Sequence, residues 1–472
     1  MSTLNINTSK ISDIEKKIQD IYNKFKNKWE VSDSSHTVGN ADYIPLLKNM
    51  NSNILQITII PVSGPNKNKI ITISDNIEEM ITIQSISKVF TLCLALKRKE
   101  ISEAADPSKD GRDYLRHFVG TEQSFSMFNS KDAIDLVPRE TGIPFTINPF
   151  VNAGAIVTTS LVTKHNNKEP LIQIMDNFKL IGGFDENMKI SKETYKSEMK
   201  YLDHNSKLAH YLKKMSHKER FPKYDLSVLD RISRISVKRS LFRRQPSRCK
   251  KSRKTTIKGS QLKSLLKKNK SNDRNSKYKN HTPIYFQNNK NTLCVETALS
   301  IYTAQCSVLA NSEMLAQLAY TLANNGVNIK GKKVLTPCQT RYVISAMLFG
   351  GMYNASGTWF QQCGIPAKSG VGGGIIGVVP GKCAIAVVSP PLNKYGNSYL
   401  GTKIFECISK EFNFNMIYDC NEKCVPETHV THNYTAPNKP ELDPVEPEDL
   451  LNNIEDCIVK LKNMCDKSKI LD

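Results

Sequence analysis

Apolar residues near the start of the chain recur at helical spacing and then begin to alternate with polar ones. Ile11 to Trp29 has the helical period and predicts an amphipathic helix. The runs NILQITII and KIITISD, separated by SGPNKN, predict two strands joined by a turn. The apolar run after Lys88 predicts a buried helix.

The remaining patterns are helical in the middle of the chain and strand-like towards its end. Helices are predicted from Pro144 to Val162, from Tyr201 to Met215, and in VETALSIYTAQCSV and EMLAQLAYTLANNG. IIGVVPG and KCAIAVVS predict two later strands. This order predicts an α+β fold in which early and late strands share one mixed antiparallel sheet, flanked by helices with a helical subdomain.

Charge separates a compact domain from two biased segments. Of the 66 Lys and Arg residues, 25 lie between Tyr211 and Lys290, against 4 of the 45 Asp and Glu, so the rest of the chain is neutral. We therefore predict a domain over residues 10–415, interrupted at 217–290 by a basic, low-complexity insert without stable structure. Residues 416–472 form an acidic, Pro-rich tail with a short helix at its end.

Cysteine usage and the N-terminus indicate the compartment. The 12 cysteines show no C-x-x-C pair and several lie in apolar runs, which is typical of reduced thiols. MSTLNINTSKISDIEKKIQD lacks the apolar core of a secretory signal, and no apolar run has membrane-spanning length. These features predict a cytoplasmic protein that is not embedded in a membrane.

A serine and a lysine three positions apart introduce the buried helix. Ser85 and Lys88 form an S-x-x-K pattern where the strand-like run ends, and this spacing puts both on one helical face. Five other pairs share the spacing, including Ser197 and Lys200, so the pattern alone carries little information. K-S-G at residues 368–370, immediately before a predicted strand, adds the second element typical of serine β-lactamases and penicillin-binding proteins.

Seven ordered blocks extend this pattern: ADYIP, IQSISKV, INPFVNAGAI, YTAQCS, GMYNASGTW, GIPAKSGVGGGIIGVVPG and SPPLNKYGNS. Together they resemble the serine-dependent glutaminase family across roughly residues 10 to 415. The resemblance implies a β-lactamase-like fold and hydrolysis of L-glutamine to L-glutamate and ammonia. It also implies that no metal or cofactor is needed and that the chain forms a homodimer or homotetramer.

The resemblance also implies catalytic roles. Ser85 would attack the carboxamide carbon, and Lys88, kept neutral with help from the helix N-terminus, would take its proton. Tyr353 would relay a proton to the departing ammonia, and Tyr43 would close the opposite side. The backbone N–H groups of Ser85 and Val371 would form an oxyanion hole.

Substrate binding is assigned by the same resemblance. Glu198 and Asn205, seven positions apart in SEMKYLDHN, would bind the α-amino and α-carboxylate groups. Asn152 would hold the substrate by hydrogen bonds, and Tyr302 would line the pocket. The full predicted binding set is Ser85, Asn152, Glu198, Asn205, Tyr302, Tyr353 and Val371.

Alternatives stay open at this point. Ser85 could be an ordinary helix cap and Lys88 a solvated lysine. A penicillin-recognising amidase or peptidase is a second enzyme class that shares S-x-x-K and K-S-G. A catalytically silent scaffold that binds nucleic acid through the basic insert is a third hypothesis, not favoured because aromatic residues there are sparse. Departures from the family pattern, such as VGTEQSFS and Asn354, affect no predicted catalytic group.

Overall fold

The computed structural model describes residues 4–28, 38–97, 145–162, 169–200 and 295–417, with isolated positions at 115, 119–123, 134–135, 205 and 208. The predicted basic insert at 217–290 lies outside the described residues, and so do most of the predicted helix from Tyr201 to Met215 and nearly all of the tail. The chain divides into two units, Met1–Asn421 and Glu422–Asp472, and the description below concerns the first.

Helices and strands alternate in blocks along the first unit. The strands are β1 (Gln56–Pro61), β2 (Ile71–Ser74), β3 (Ile81–Thr82), β4 (Ile134–Asp135), β5 (Phe145–Thr146), β6 (Leu309–Ala310), β7 (Ala367–Gly370), β8 (Gly374–Val379) and β9 (Cys383–Val388). The helices are α1 (Ile11–Phe25), α2 (Pro45–Lys48), α3 (Ser87–Leu96), α4 (Asn152–Ser160), α5 (Pro170–Gly182), α6 (Lys192–Lys200), α7 (Val295–Cys306), α8 (Ser312–Ala323), α9 (Pro337–Gly350), α10 (Ser356–Cys363) and α11 (Tyr399–Phe412). Short 3-10 turns occupy Gln84–Ile86 and Tyr353–Ala355.

One five-stranded sheet joins the two ends of the domain. Its strand order is β2-β1-β9-β8-β7, and each neighbouring pair is antiparallel. β1 pairs with β9, so the prediction that early and late strands share a sheet is confirmed. The K-S-G residues lie within β7, whose ladder continues through them, and a short turn separates them from β8, the strand predicted to follow.

The sheet is covered on both faces, so β1, β8 and β9 are buried along their whole length. On one face Ile57, Ile59 and Ile385 pack with residues of α1, α10 and α11. On the other, Ile60 and Val378 belong to the larger core formed with α3, α4, α5, α7, α8 and α9. The same strands contribute apolar side chains to both cores, because successive side chains point to opposite faces of the sheet. No helix in the described part of the chain is long and apolar enough to cross a membrane.

Two glycines let the β7–β8 turn lie directly against the segment that leads into α3. A Cβ at Gly370 would lie 2.4 Å from the Ile83 carbonyl oxygen, and one at Gly372 would lie 2.1 Å from the Thr82 carbonyl oxygen. Such distances are too short for any side chain. The glycine-rich run is therefore a packing requirement that joins the K-S-G strand to the strand before Ser85.

We predict that Gly372→Ala lowers the free energy of unfolding by about 1–3 kcal/mol, because the added methyl group forces two backbone segments apart. Urea unfolding followed by circular dichroism would measure the change. Gly39→Ala is the matched control, since a Cβ there meets nothing within 4 Å. Equal stability of the two variants would contradict the predicted contact.

Candidate active site

Ser85 lies in the 3-10 turn between β3 and α3, two residues before α3 begins at Ser87, rather than in the first turn of the helix as the sequence predicted. Its exposed fraction is 6%. The preceding residue, Gln84, has φ +48°, a left-handed conformation that is rare for a side chain of this kind. Strained backbone of this type tends to be kept where it presents a functional group.

Lys88 is enclosed in the first turn of α3, with an exposed fraction of 2%. Its Nζ donates to the Phe150 carbonyl oxygen at 2.8 Å and to Asn152 Oδ1 at 2.7 Å. Desolvation lowers the pKa of this amine to about 7, opposed by the nearby Cys306 and Glu198. Burial is therefore the main reason for the depressed pKa, whereas the sequence argument stressed the helix N-terminus.

The two acceptors of Lys88 are held by a turn built on Asn148. Asn148 Oδ1 accepts from the N–H groups of Phe150 and Val151 at 2.9 and 3.0 Å. Gly154 then packs against this turn, since a Cβ there would lie 1.9 Å from the Asn148 carbonyl oxygen. The helix predicted from Pro144 to Val162 is shorter than expected and begins at Asn152, because these side-chain bonds support the turn instead.

Asn152 links two other predicted binding residues, Tyr302 and Asn205, to Lys88. Its Oδ1 also accepts from the Tyr302 hydroxyl at 3.2 Å, and its Nδ2 donates to Asn205 Oδ1 at 2.6 Å. The Lys88 amine lies 5.5 Å from the centre of the Tyr302 ring. The amide of Asn152 is thus oriented by protein groups, with its oxygen facing the amine.

Tyr353 meets Ser85 from the other side of the site. Its hydroxyl donates to the Ser369 carbonyl oxygen at 3.1 Å and shares a hydrogen bond with the Ser85 side chain. Because the phenol hydrogen is used on Ser369, Ser85 is the donor to Tyr353. Desolvation raises the pKa of this phenol, so it stays protonated near neutral pH. Tyr353 has φ +56°, a second strained residue at the site.

Glu198, on α6, is a buried carboxylate with an exposed fraction of 8%. Desolvation raises its pKa to about 7, against the opposing effects of a hydrogen bond from Gln84 and the charge of Lys88. Within the described residues, its Oε2 is buried without a hydrogen-bond partner. An unpartnered buried carboxylate oxygen is costly and indicates room for a cationic or donor group of a ligand.

Val371 and Tyr43 come from opposite ends of the domain. Val371 follows the last paired residue of β7 and packs in a small apolar cluster with Ala41, Ile44, Leu47 and Leu392. This cluster brings the segment that carries Tyr43 to the β7–β8 turn. Tyr43 is 53% exposed as a whole residue, while its phenol lies near Tyr353 and Glu198; desolvation, then these two neighbours, raises the pKa of that phenol. Tyr43 therefore lies at the solvent-facing side of the site.

Sequence reasoning missed two groups that the fold brings in. Gln84, adjacent to the predicted nucleophile, bonds Glu198 and also donates to Thr82 Oγ1 at 3.1 Å. Cys306, in the quoted block YTAQCS, places its thiol 3.6 Å from the Ser87 hydroxyl. Only the position of Gln84 beside Ser85 could have drawn attention to it. No group of His, Cys, Asp and Glu side chains that could hold a metal ion occurs among the described residues.

A sequence profile of the glutaminase family matches residues 39–240 and 244–417, most of the chain. A glutaminase from Trichormus variabilis is 30% identical over 381 residues, covering 80% of this chain and 85% of that protein. One from Colwellia psychrerythraea is 30% identical over 407 residues, covering 85% of this chain and 97% of that protein.

Solved structures agree in architecture. The probable glutaminase YbaS superimposes with a TM-score of 0.59 at 26% identity, covering 87% of this chain and 99% of that one. A probable glutaminase from Bacillus subtilis, complexed with 6-diazo-5-oxo-L-norleucine, superimposes with a TM-score of 0.55 at 22% identity, over 86% of this chain and 96% of that one.

The sheet flanked by helices and the buried serine and lysine define the class: an α+β hydrolase of the β-lactamase-like fold, as the sequence predicted. The chain belongs to the glutaminase family, amidohydrolases that convert L-glutamine to L-glutamate and ammonia. Both predictions are confirmed.

We predict that Lys88→Met stabilises the fold more at about pH 7 than at about pH 10. A lysine whose folded pKa is lowered destabilises the native state below that pKa, and the penalty disappears above its unfolded value, 10.5. Urea unfolding at the two pH values would give the difference, and any hydrogen-bond loss cancels in it. Lys67→Met, at an exposed lysine, is the control and should show no such difference. A Lys88→Met effect that does not depend on pH would contradict a depressed pKa.

Proposed function

We propose that the chain hydrolyses L-glutamine through a glutamyl-enzyme ester formed on Ser85, with Lys88 as the general base. The observation that carries the proposal is the amine of Lys88. It is buried, its pKa is about 7, and it donates to two fixed acceptors, the Phe150 carbonyl and the Asn152 amide. A neutral amine has two N–H donors and one lone pair. With both donors engaged, the lone pair is left to accept the Ser85 proton once the Ser85 hydroxyl turns from Tyr353 towards the amine.

Tyr353 is the weaker candidate for the base, because burial raises the pKa of its phenol and the phenolate, its basic form, is scarce near neutral pH. It is better suited to the step in which ammonia departs. Ser85 attacks the carboxamide carbon while Lys88 takes the hydroxyl proton. As the C–N bond then breaks, Tyr353 turns its hydrogen from the Ser369 carbonyl to the departing nitrogen and is reprotonated by Lys88. Water afterwards attacks the ester with the proton transfers reversed.

The negative oxygen that forms during attack needs donors. The N–H groups of Ser85 and Val371 are proposed for this role, each worth about 3–4 kcal/mol in a preorganised site. Two features support the assignment: Val371 lies just beyond the β7 ladder, and Gly370 and Gly372 bring this turn against the segment before Ser85.

Recognition of the amino-acid end of the substrate is proposed for Glu198 and the Asn152–Asn205 pair. The unpartnered Oε2 of Glu198 supports binding of the α-ammonium group. The side chain of Asn205, half-buried and bonded to Asn152, supports contact with the α-carboxylate. Tyr302 would form the pocket wall and Tyr43 its outer side. A homodimer or homotetramer and a cytoplasmic location remain part of the proposal.

Ser85→Ala should reduce kcat for ammonia release from L-glutamine by roughly 10³-fold or more, because no other group can form the ester. A coupled ammonia assay on the pure protein measures it, with L-asparagine as a comparison substrate. Ser87→Ala, a buried serine two positions away, is the matched control and should retain most activity. Unchanged activity of Ser85→Ala would falsify the mechanism, whereas absence of glutamine turnover by the wild type would overturn the substrate.

Glu198→Gln should raise KM for L-glutamine about 10- to 100-fold, because it removes a charged partner of the α-ammonium group while keeping the side chain's shape. Steady-state kinetics at a pH near 8, where the wild-type carboxyl is ionised, would measure it. Glu193→Gln, exposed on the same helix, is the control. An unchanged KM in Glu198→Gln would remove this residue from substrate binding.

A further inference from the structure

A second buried lysine lies beside the site and has no role in the steps above. Lys368, the lysine of the K-S-G motif, has no measurable exposure. Burying an ammonium or amine is costly unless it is hydrogen-bonded. The contacts of its Nζ therefore indicate what this lysine does.

The Lys368 amine donates to two backbone carbonyl oxygens that flank Tyr353 in space. One is that of Ser369, at 2.6 Å, which also accepts from the Tyr353 hydroxyl. The other is that of Gly351, at 3.1 Å, two residues before Tyr353 in the chain. The same amine lies 4.3 Å from the centre of the Tyr353 ring. Three contacts thus connect one side chain to both ends of the tyrosine.

Tyr353 needs such support because its backbone is strained. With φ +56°, it adopts a conformation that a bulky residue rarely keeps unless its surroundings enforce it. Gly351 also approaches β7 too closely for a side chain, since a Cβ there would lie 1.7 Å from the Ala367 carbonyl oxygen. Lys368 lies on β7, and its amine contacts the Gly351 carbonyl, so this side chain links the segment before Tyr353 to β7 beside the phenol.

We propose that Lys368 is a positioning residue that holds the Tyr353 phenol against Ser85 by binding the Ser369 and Gly351 carbonyls. The inference rests on the proposed function, since it concerns the proton path through Tyr353. Lys368 acts through its hydrogen bonds rather than through its charge. Desolvation, reinforced by the nearby Lys88, holds the pKa of Lys368 well below its usual range.

The lowered pKa of Lys368 also bears on Lys88, the neighbouring amine that contributes to that lowering. Two buried amines close together cannot both become charged at low cost, and Lys88 must become charged when it takes the Ser85 proton. The groups that face Lys88 are Cys306 and Glu198, both raising its pKa, together with the Tyr302 ring. Lys368 adds no positive charge to them while it is neutral.

Lys368→Met removes the amine and keeps the side-chain length. It should lower kcat for L-glutamine about 100-fold, as expected for a misplaced reacting group, with KM changed by less than about threefold. The acid limb of the kcat–pH profile should keep its midpoint, because the proposed role of Lys368 is carried by its hydrogen bonds to the Ser369 and Gly351 carbonyls and not by a charge. In a Tyr353→Phe background, Lys368→Met should cause little further loss, since both changes affect one proton path. Lys67→Met is the surface control.

Additive losses in the double variant, or an acid limb displaced towards higher pH, would overturn the inference, because Lys368 would then act independently of Tyr353 or through its charge. Lys368→Gln, which retains a donor, should lose less activity than Lys368→Met. Failure of both variants to fold, judged by near-ultraviolet circular dichroism, would assign Lys368 to stability alone and would also overturn the inference.

A readout that does not require glutamine turnover separates this inference from the proposed function. With 3-fluorotyrosine at position 353, the fluorine NMR signal should move or broaden in Lys368→Met and stay unchanged in Lys67→Met. An unmoved signal in Lys368→Met would overturn the positioning role even if the enzyme is a glutaminase. A moved signal without glutamine hydrolysis by the wild type would support the contact and contradict the proposed function.

Discussion

The amine of Lys88 is enclosed by protein, and its charged form has little water to stabilise it. Among the residues that the structure describes, the Phe150 carbonyl and the Asn152 amide oxygen lie within hydrogen-bonding distance of it. This constraint determines the pKa of the amine, the orientation of Asn152, and through Asn152 the contacts of Tyr302 and Asn205. The site is therefore a small hydrogen-bond network centred on the desolvated amine of Lys88, to which the other polar residues connect through Asn152.

Local backbone strain accompanies this network. Gln84 and Tyr353, on either side of Ser85 in space, both have positive φ, and three glycines nearby allow backbone segments to approach within the radius of a methyl group. Such features cost stability and persist only where the surrounding structure holds them. Here the surrounding structure is the five-stranded sheet and the two cores on its faces, which hold β7 and the turn before α3 in contact.

Burial of Glu198 and burial of Lys88 each lower the free energy of unfolding, and each does so over a different pH range. Glu198 has a raised pKa, so its burial weakens the fold as pH rises from about 4.5 to about 7. Lys88 has a lowered pKa, so its burial weakens the fold as pH falls from 10.5 to about 7. Their combined penalty is largest near neutral pH, where the amine of Lys88 is partly neutral and the carboxyl of Glu198 is partly ionised. The stability lost there follows from burying both groups in the site.

Local sequence determined much of this protein: the hairpin strands, the helix after Lys88, the α+β order, and through its ordered blocks the family. Side-chain spacing alone could not separate Ser85 and Lys88 from the five other pairs of this kind; the ordered blocks around them did. Tertiary structure added that Lys88 is buried against Phe150, and that Tyr353 and Glu198, from distant parts of the chain, lie near Ser85. It also gave Gln84 and Lys368 their contacts, since backbone strain and desolvation arise only when separate segments pack together.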